Sequence, residues 1–324
     1  MARFLIRRLA HSVPVVVVSS FLVFAMVAAA GDPLAELRSR PGVAPETIAL
    51  RSEQLQLHKP VPERYLGWVA RAARGDLGTS VTGEPVAPLI LRHLGVTLRM
   101  VLLAVPLGVA GAVLIGVGSA LRPRSVLDRA GTVLSMALVA TPVFWLAGLL
   151  KEAGVRFNEA VGRTVVFTVG ERSPGIEGSW LAMAVDRAGH LVLPTLTLGL
   201  VAMAGWSRFQ RAATIEVLHA TYVESARARG LPERRVVGVH ALRNALIPLT
   251  AVVATDFAAI LGGAVLVEVV FAWRGMGRLL LDAVNGSDVH VATGWLVVTA
   301  SVVIVLNLLA DLVYAALDPR IRDA

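Results

Sequence analysis

Residues 100–121 read MVLLAVPLGVAGAVLIGVGSAL, a run of 22 residues without a charged side chain. An α-helix rises about 1.5 Å per residue, so about 20 apolar residues cross the roughly 30 Å hydrocarbon core of a membrane. Five other stretches have a similar apolar length, namely Leu9–Ala30, Gly131–Leu150, His190–Trp206, Ala245–Phe271 and Thr293–Leu317. The sequence therefore predicts an all-α polytopic membrane protein with six transmembrane helices.

The composition supports this class. Apolar residues make up 56% of the chain, charged residues make up 17%, and the mean hydropathy is +0.69. A soluble domain carries about 45–50% apolar and about 25% charged residues. Within 100–121, small residues at Gly108, Ala112, Gly116 and Ala120 lie four apart and share one helical face. Such a face predicts close packing against a neighbouring helix.

The first predicted span has some features of a secretion signal. It follows Arg3, Arg7 and Arg8, and it ends in three alanines at 28–30. Its apolar run is about twice as long as the core of a typical signal peptide, so we expect it to be retained as a span. The chain has no cysteine, which excludes disulfides, thiol catalysis and cysteine metal sites within it.

The distribution of charge predicts the orientation. The segments 1–8, 122–130, 207–244 and 318–324 hold 15 Lys/Arg against 6 Asp/Glu, whereas 31–99, 151–189 and 272–290 hold 16 against 14. The positive-inside rule therefore places the first group, and with it both termini, in the cytoplasm. A nucleic-acid partner would explain the net charge of +8, but the cations are divided among membrane-flanking loops, so no such partner is expected.

The chain divides into three predicted regions: 1–30 with the first span, the outer segment 31–99, and a core of five spans over 100–324. In the outer segment, Ala44-Pro45-Glu46 predicts the start of a helix, because proline suits the first turn and an acid suits the positive end of the helix dipole. Residues 65–69 begin a second amphipathic helix, and 75–78 form a turn. Either a cap over the helix bundle or a docking face for an external partner fits this segment.

The 207–244 loop between the fourth and fifth spans is unusually long and carries seven arginines against three glutamates. Its pattern predicts one short helix over Thr214–Arg229 and a break at Gly230-Leu231-Pro232. A second helix follows from Val236 to Pro248 and enters the fifth span. A bent helical pair of this kind offers a grip for another protein, while a basic loop lying on lipid headgroups is the alternative.

Two stretches of this loop, YVESARARG at 222–230 and HALRNALIP at 240–248, resemble the EAA loop of ABC-importer permeases. The resemblance is strongest to the dipeptide/oligopeptide/nickel permease group, with Ser225 in place of the first alanine of the motif and Arg274 in place of a proline. Further stretches that resemble this group, in the same order along the chain, are 57–62, 74–78, 262–268, 271–280 and 311–322.

The resemblance implies a type I ABC-importer fold and a non-catalytic permease subunit in a bacterial-type inner (plasma) membrane. It implies that the EAA loop is a coupling helix that contacts an ATPase, and the coupling candidates are Glu224, Ser225, Ala226, Arg227, Arg229, Gly230 and Arg243. The implied partners are a second homologous permease subunit, two ATP-binding subunits, an extracytoplasmic substrate-binding protein and membrane lipid.

The chain has no G-x-x-x-x-G-K-[ST] loop, so we expect ATP and Mg²⁺ on the partner subunits and no cofactor or metal on this chain. The resemblance implies that di- or oligopeptides are the cargo, while a nickel chelate or another small solute stays open.

Three acids lie within predicted spans, where an unpaired charge costs at least about 2.5–3.5 kcal/mol near the centre. Glu268 and Asp311 lie near span ends and match the family pattern, which predicts structural pairing. Asp256 lies in mid-span. It either lines the translocation path, where it would contact the amino end of a peptide, or pairs with a cation of a partner subunit.

Two other functions were weighed. An ion-coupled secondary transporter or channel would explain six spans and intramembrane acids, but it leaves the 207–244 loop unexplained. An intramembrane hydrolase would need an H-E-x-x-H motif or a G-x-S-x-G elbow, and the sequence has neither. His190, His219, His240 and His290 are therefore interpreted as packing or interface residues.

Overall fold

A computed structural model of the chain describes residues 2–39, 41–175 and 179–317. Regular secondary structure in these ranges is helical, with one isolated β-bridge between Thr79 and Pro85, and this confirms the all-α class. In chain order the helices are α1 (Ala2–Ala30), α2 (Ala35–Ser39), α3 (Pro45–Gln54), α4 (Val61–Ala72), α5 (Val86–Leu121), α6 (Val126–Ala140), α7 (Val143–Val161), α8 (Trp180–Leu218), α9 (Thr221–Ala228), α10 (Glu233–Arg235), α11 (Leu242–Val270), α12 (Met276–Asn285) and α13 (Val289–Leu317).

Five helices of the described residues are long and apolar enough to cross a membrane: α1, α5, α8, the continuous helix Glu233–Val270, and α13. The bent pair α6–α7 supplies a sixth span if its two arms are counted together. Most of these helices extend well beyond the predicted apolar runs. The second predicted span, for example, starts at Val86 rather than Met100.

The third predicted span, Gly131–Leu150, is wrong as a continuous helix. The chain breaks between α6 and α7 and turns through 108°. Pro142 precedes α7, and Thr141 has an extended backbone with φ −85° and ψ 123°. Proline disfavours the helical conformation of the residue before it, which accounts for the break at this point.

The described residues form two compact units, and the first comprises residues of 1–97 and 274–304. Its core joins α1, α4, α5, α12 and α13 around Phe24 and Trp68, both almost fully buried. Tyr65 of α4 donates a hydrogen bond to the carbonyl of Val17 at 2.9 Å, which holds α4 against α1. Trp68 donates from Nε1 to the carbonyl of Leu77 at 3.0 Å. The first predicted span is thus packed into this unit.

The outer segment confirms its predicted helix start at Pro45 and its predicted turn, where Gly75 and Gly78 both have φ +86°. The residues after the turn are held by the loop before α13. Asp288 accepts hydrogen bonds from Ser80 Oγ at 2.7 Å and from the amide of Val81 at 2.8 Å. This contact joins residues more than 200 positions apart in the chain.

The second unit comprises the described residues of 98–273 and 305–317, and α8 lies at its centre, packed against α6, α7 and α11. The small-residue face of α5 lies directly on α8. A methyl group added at Gly108 would lie 3.0 Å from the ring of Trp206, and one added at Gly116 would lie 2.8 Å from the carbonyl of Ser207. The predicted close packing of this face is confirmed.

The fourth span is much longer than predicted, because α8 runs over 39 residues to Leu218. Residues 207–218 were predicted as the start of a loop, and a single short helix was predicted over Thr214–Arg229. Both boundaries are wrong. Ser207, Gln210 and Thr214 are buried polar residues that lower the hydropathy of this part, although it continues the helix.

Candidate functional site

The segment that connects α8 to α11 forms a compact helical turn, which we call the α9 hairpin (residues 219–244). Helix α9 has an inner apolar face, on which Val223 is fully buried and Ala226 is 1% exposed. These residues pack against Leu218, Val236 and Ala241. The inner face therefore fixes α9 to the end of α8 and to the following helix, and leaves its outer face exposed.

The hairpin bends at Gly230. This residue has φ +77°, a conformation that costs most side-chain-bearing residues about 1–2 kcal/mol. Its amide donates to the carbonyl of Arg227 at 2.8 Å, and the next helix begins at Glu233 immediately after Pro232. The predicted break at 230–232 is confirmed, with Pro232 one position before the first helical residue.

An ion pair closes the bend. Arg227 donates from Nη2 and Nε to the two carboxylate oxygens of Glu233, at 2.8 and 3.2 Å, and from Nη1 to the carbonyl of Leu218 at 3.1 Å. The bonds to Glu233, with the charge of its carboxylate, raise the pKa of Arg227 above its ordinary value. Arg227 thus connects three pieces of the hairpin: the end of α8, α9 and the start of α10.

The return helix is continuous from Glu233 to Val270, but Val236–Ala241 has π-helical geometry. A π-helical turn inserts an extra residue and often occurs at functional sites. After this turn, the side-chain amide Nδ2 of Asn244 donates to the hydroxyl of Tyr222 on α9 at 2.9 Å. This side-chain bond attaches α9 to α11 on the exposed side of the hairpin.

The predicted coupling residues fall into three groups. Glu224, Ser225, Arg229 and Gly230 are exposed on α9 and the bend, and Arg243 is exposed at the start of α11. Ala226 is buried on the inner face of α9. Arg227 is also exposed, but its guanidinium is bonded within the chain. The exposed surface of the hairpin therefore carries both an acid and two arginines in reach of another protein.

Asp256 lies on α11 in the second unit and is half-buried. The indole Nε1 of Trp206, a buried residue of α8, donates to its carboxylate at 2.7 Å. From the sequence, a peptide amino end and a cation of a partner subunit were considered as partners of Asp256, and Trp206, which lies 50 positions earlier in the chain, was missed. The one available signal was that an indole N–H inside an apolar helix needs an acceptor.

The other two acids in predicted spans are Glu268 and Asp311. Glu268 near the end of α11 is fully buried, and its carbonyl accepts a hydrogen bond from the amide of Trp273 at 2.8 Å. Close to it in sequence, the carbonyl of Val270 accepts a hydrogen bond from Lys151 Nζ at 2.8 Å. The side chain of Asp311 lies outside the described residues.

Ser173, Asp186 and His190 form a cluster of serine, acid and histidine side chains that invites comparison with a hydrolase. The hydroxyl of Ser173 donates directly to Asp186 at 2.7 Å and lies 3.3 Å from His190 Nε2, while His190 Nδ1 donates to the carbonyl of Gly170 at 2.9 Å and not to the acid. In a catalytic triad the acid orients the histidine, which in turn accepts the serine proton. Here the three side chains hold the loop of residues 162–175 against α8.

Among the described residues, no group of three or more His, Asp or Glu side chains is arranged to hold a metal ion.

Comparison with known proteins adds family information. Residues 112–323 match the family described as binding-protein-dependent transport system inner membrane component. Residues 1–100 match the description of the N-terminal part of the membrane component of such systems. Together the two matches cover nearly the whole chain and include the α9 hairpin.

Several curated proteins are similar over their full length. The oligopeptide transport system permease protein OppB of Mycobacterium tuberculosis is 39% identical, with 99% of each chain covered. The oligopeptide permease AppB of Bacillus subtilis is 35% identical, covering 99% of this chain and 100% of the relative. The dipeptide permease DppB of Escherichia coli K12 is 32% identical, with 99% of each covered.

Among solved structures, a chain of the inward-facing MetNI methionine ABC transporter matches with a TM-score of 0.54 and 19% identity. The match covers 73% of this chain and 99% of that chain. At this identity the likeness concerns the fold, and it confirms the predicted ABC-importer type of architecture.

Proposed function

Because the chain belongs to the family of inner membrane components of binding-protein-dependent transport systems, we propose that it is a permease subunit of an ATP-driven peptide importer. In this proposal it forms half of the translocation path, and a second permease subunit forms the other half. Peptide cargo is supported by the relatives, which are named as oligopeptide and dipeptide permeases. The ATPase activity resides on two partner subunits, and an extracytoplasmic binding protein delivers the cargo.

The α9 hairpin is the observation that carries this proposal. Its inner face is packed, its bend is closed by the Arg227–Glu233 ion pair, and its outer face is exposed and charged. A rigid exposed element is what a mechanical contact with another protein requires. We propose that Glu224, Arg229 and Arg243 contact an ATP-binding subunit, while Ala226 and Gly230 keep the shape of the hairpin.

The hairpin connects directly to two long helices. Arg227 is bonded to the last carbonyl of α8, and the return helix continues without a break into α11. A displacement of the hairpin when the ATPases close on ATP would therefore be passed to both helices. In this way ATP hydrolysis outside the membrane would reorient the walls of the path within it.

Asp256 is proposed to line this path. The Trp206 indole satisfies one of its carboxylate oxygens, and the half-buried side chain keeps accepting capacity for a second group. A peptide in transit presents a protonated amino end, which is a suitable partner for a carboxylate in a low-dielectric setting. Glu268 and Asp311 are proposed to have structural roles.

The proposed location is the bacterial inner membrane with both termini in the cytoplasm. With α6–α7 counted as one span, six spans place the termini on the same side. The arginine-rich α9 hairpin then lies on the cytoplasmic face, where the ATPases act.

The test is purification of the tagged chain from its native membrane in a mild detergent, followed by identification of the co-purifying proteins. We expect a second permease and P-loop ATPases. Arg229→Glu reverses an exposed charge on the hairpin and should lower the yield of ATPases about tenfold without lowering the yield of the second permease.

The matched control is Arg156→Glu, which reverses another exposed arginine, on α7, and should leave both yields unchanged. Purification of the chain without any ATPase, together with ion-driven uptake in vesicles, would instead establish a secondary transporter.

A further inference from the structure

An ion pair between a buried aspartate and a partly buried arginine joins α6 to α8. Arg211 of α8 donates from Nε and Nη2 to the two carboxylate oxygens of Asp128, at 2.6 and 3.0 Å. Asp128 lies in the first turn of α6 and is 5% exposed. A bidentate pair of this kind fixes the orientation of both side chains as well as their distance.

The same carboxylate also holds the turn between α5 and α6. The amide of Arg124 donates to Asp128 Oδ2 at 2.9 Å, and Ser125 accepts from the amide of Asp128 at 3.2 Å as the N-cap of α6. Any force on Arg211 therefore reaches the start of α6 and the turn that precedes it.

A second polar contact lies between the same two helices. The hydroxyls of Ser135 and Ser207 are 3.0 Å apart, and both residues are buried. Ser135 lies two helical turns beyond Asp128 on α6, about 10 Å along its axis. Two separate attachments prevent α6 from pivoting on α8 about either one alone.

The structure thus favours α6 and α8 as a single rigid body. α6 ends at the break before Pro142, where the chain turns through 108°, whereas α8 ends at Leu218, which is bonded to Arg227 of the α9 hairpin. Resting on the proposed function above, we propose that Asp128 and Arg211 are positioning residues that carry the displacement of the α9 hairpin to α6. The bending during transport then occurs at Thr141–Pro142 and not between α6 and α8.

The first variant is Asp128→Asn, which removes the charge and keeps the size of the side chain. In proteoliposomes that contain the complete transporter with its own binding protein, and with labelled tri- and penta-alanine as probes, transport per ATP hydrolysed should fall about tenfold. ATP hydrolysis itself should continue. Glu152→Gln, which breaks the exposed pair with Arg156, is the control and should leave the ratio unchanged.

The second variant adds a covalent bond between α6 and α8 at the contact of the two serines. The chain has no cysteine, so Ser135→Cys with Ser207→Cys introduces a single pair in it, at positions whose hydroxyl oxygens lie 3.0 Å apart. Oxidation of this pair should leave transport intact, because the proposal requires no movement between α6 and α8. In the Asp128→Asn background, oxidation should restore transport and reduction of the same sample should remove it again, which a loss of folding could not produce.

A third measurement does not depend on cargo. In native membranes, the rate of disulfide formation between the two introduced cysteines should be the same without nucleotide and with ATP plus vanadate. A severalfold change in this rate, or a block of transport on oxidation, would overturn the proposal, as would an unchanged transport-to-ATP ratio in Asp128→Asn. A wild-type complex that hydrolyses ATP but moves neither peptide would contradict peptide cargo and would leave the cross-linking result to decide on α6 and α8.

Discussion

At the scale of single residues, the shape of the α9 hairpin depends on Gly230. The placement of Asp256 within an apolar helix depends on its hydrogen bond with Trp206. Gly230 has φ +77°, and no neighbouring atom lies where a side chain would begin, so its backbone conformation alone requires glycine. Asp256 and Trp206 instead satisfy each other, because a carboxylate and an indole N–H would both be costly if left unbonded in an apolar setting.

Asp256→Asn should slow ATP-driven peptide uptake about tenfold, because the neutral amide would lose a charge-assisted bond of roughly 1.5–3 kcal/mol to the amino end of a peptide. Uptake of labelled tri-alanine by proteoliposomes measures this effect. The yield of the assembled transporter should be unchanged, since the amide oxygen still accepts from Trp206.

Thr255→Ala is the matched control for this prediction. Its exposed hydroxyl bonds the carbonyl of Val252 within the same helix, and its loss should not alter uptake. A loss of assembly in Asp256→Asn, with normal uptake by the complex that still assembles, would show a structural role. It would contradict the proposed role of Asp256 in the path.

The residues of the hairpin show what local sequence can and cannot predict. The bend at Gly230 was predictable, because glycine followed by proline is a local signal for the end of one helix and the start of another. The Arg227–Glu233 pair was not, because the two side chains meet only once α9 and α10 have taken their angle. The same holds for Asp128 and Arg211, which lie 83 positions apart.

At the scale of helices, the close contact of α5 with α8 depends on glycines, which have no side chain to keep the two helices apart. Gly116→Ala should destabilise the second unit by about 1–3 kcal/mol, the usual cost of inserting a methyl group into a packed interface. The new methyl would lie 2.8 Å from both the carbonyl of Ser207 and Cβ of Gln210, and a backbone carbonyl inside a helix cannot move away easily.

Thermal unfolding in detergent measures this cost as a lower midpoint temperature. Gly118→Ala lies half a turn further along α5, where the nearest atom is a flexible leucine methyl at 3.4 Å, and should unfold at nearly the wild-type temperature. Equal midpoints for the two variants would show that the α5–α8 contact is looser than described.

Hydropathy predicted the existence of the helices better than their ends. The apolar runs mark where the chain meets lipid, but a helix continues wherever its backbone bonds continue, as α8 does past Trp206 through buried Ser207 and Gln210. The break in α6–α7 had a local signal in Pro142, which apolar length alone obscured. Helix α12 was missed, because its ten residues are too short for a span-length search.

At the scale of the whole chain, the number of crossings depends on α6–α7. Single cysteines introduced into the cysteine-free chain can determine this number. They are Arg122→Cys before α6 and Arg163→Cys after α7, both at exposed positions. We expect a membrane-impermeant maleimide to label Arg163→Cys from outside intact cells and to reach Arg122→Cys only after the membrane is opened.

Arg229→Cys on the α9 hairpin provides the reference for the cytoplasmic side and should behave like Arg122→Cys. Labelling of Arg122→Cys and Arg163→Cys from the same side would show that the bent pair enters the membrane and returns. The chain would then have five crossings, and its termini would lie on opposite faces.

The broad class, the order of the spans and the family were within reach of the sequence, because each depends on runs or motifs of contiguous residues. The division at residues 30 and 99 stays a prediction. The grouping of 1–97 with 274–304 was beyond sequence reasoning, because it depends on contacts between the two ends of the chain.

The hydrogen bond between Ser80 and Asp288 has a consequence for the synthesis and folding of the chain. The core around Trp68 also needs Met276, Leu279 and Val289, so the first unit cannot complete its packing until these residues have left the ribosome. At about 5–20 residues per second, a nascent chain waits about 10–40 s between the synthesis of Ser80 and that of Asp288. During that interval the outer segment is translated but unfinished, and a truncation shortly before residue 276 would leave it without the partners that complete its core.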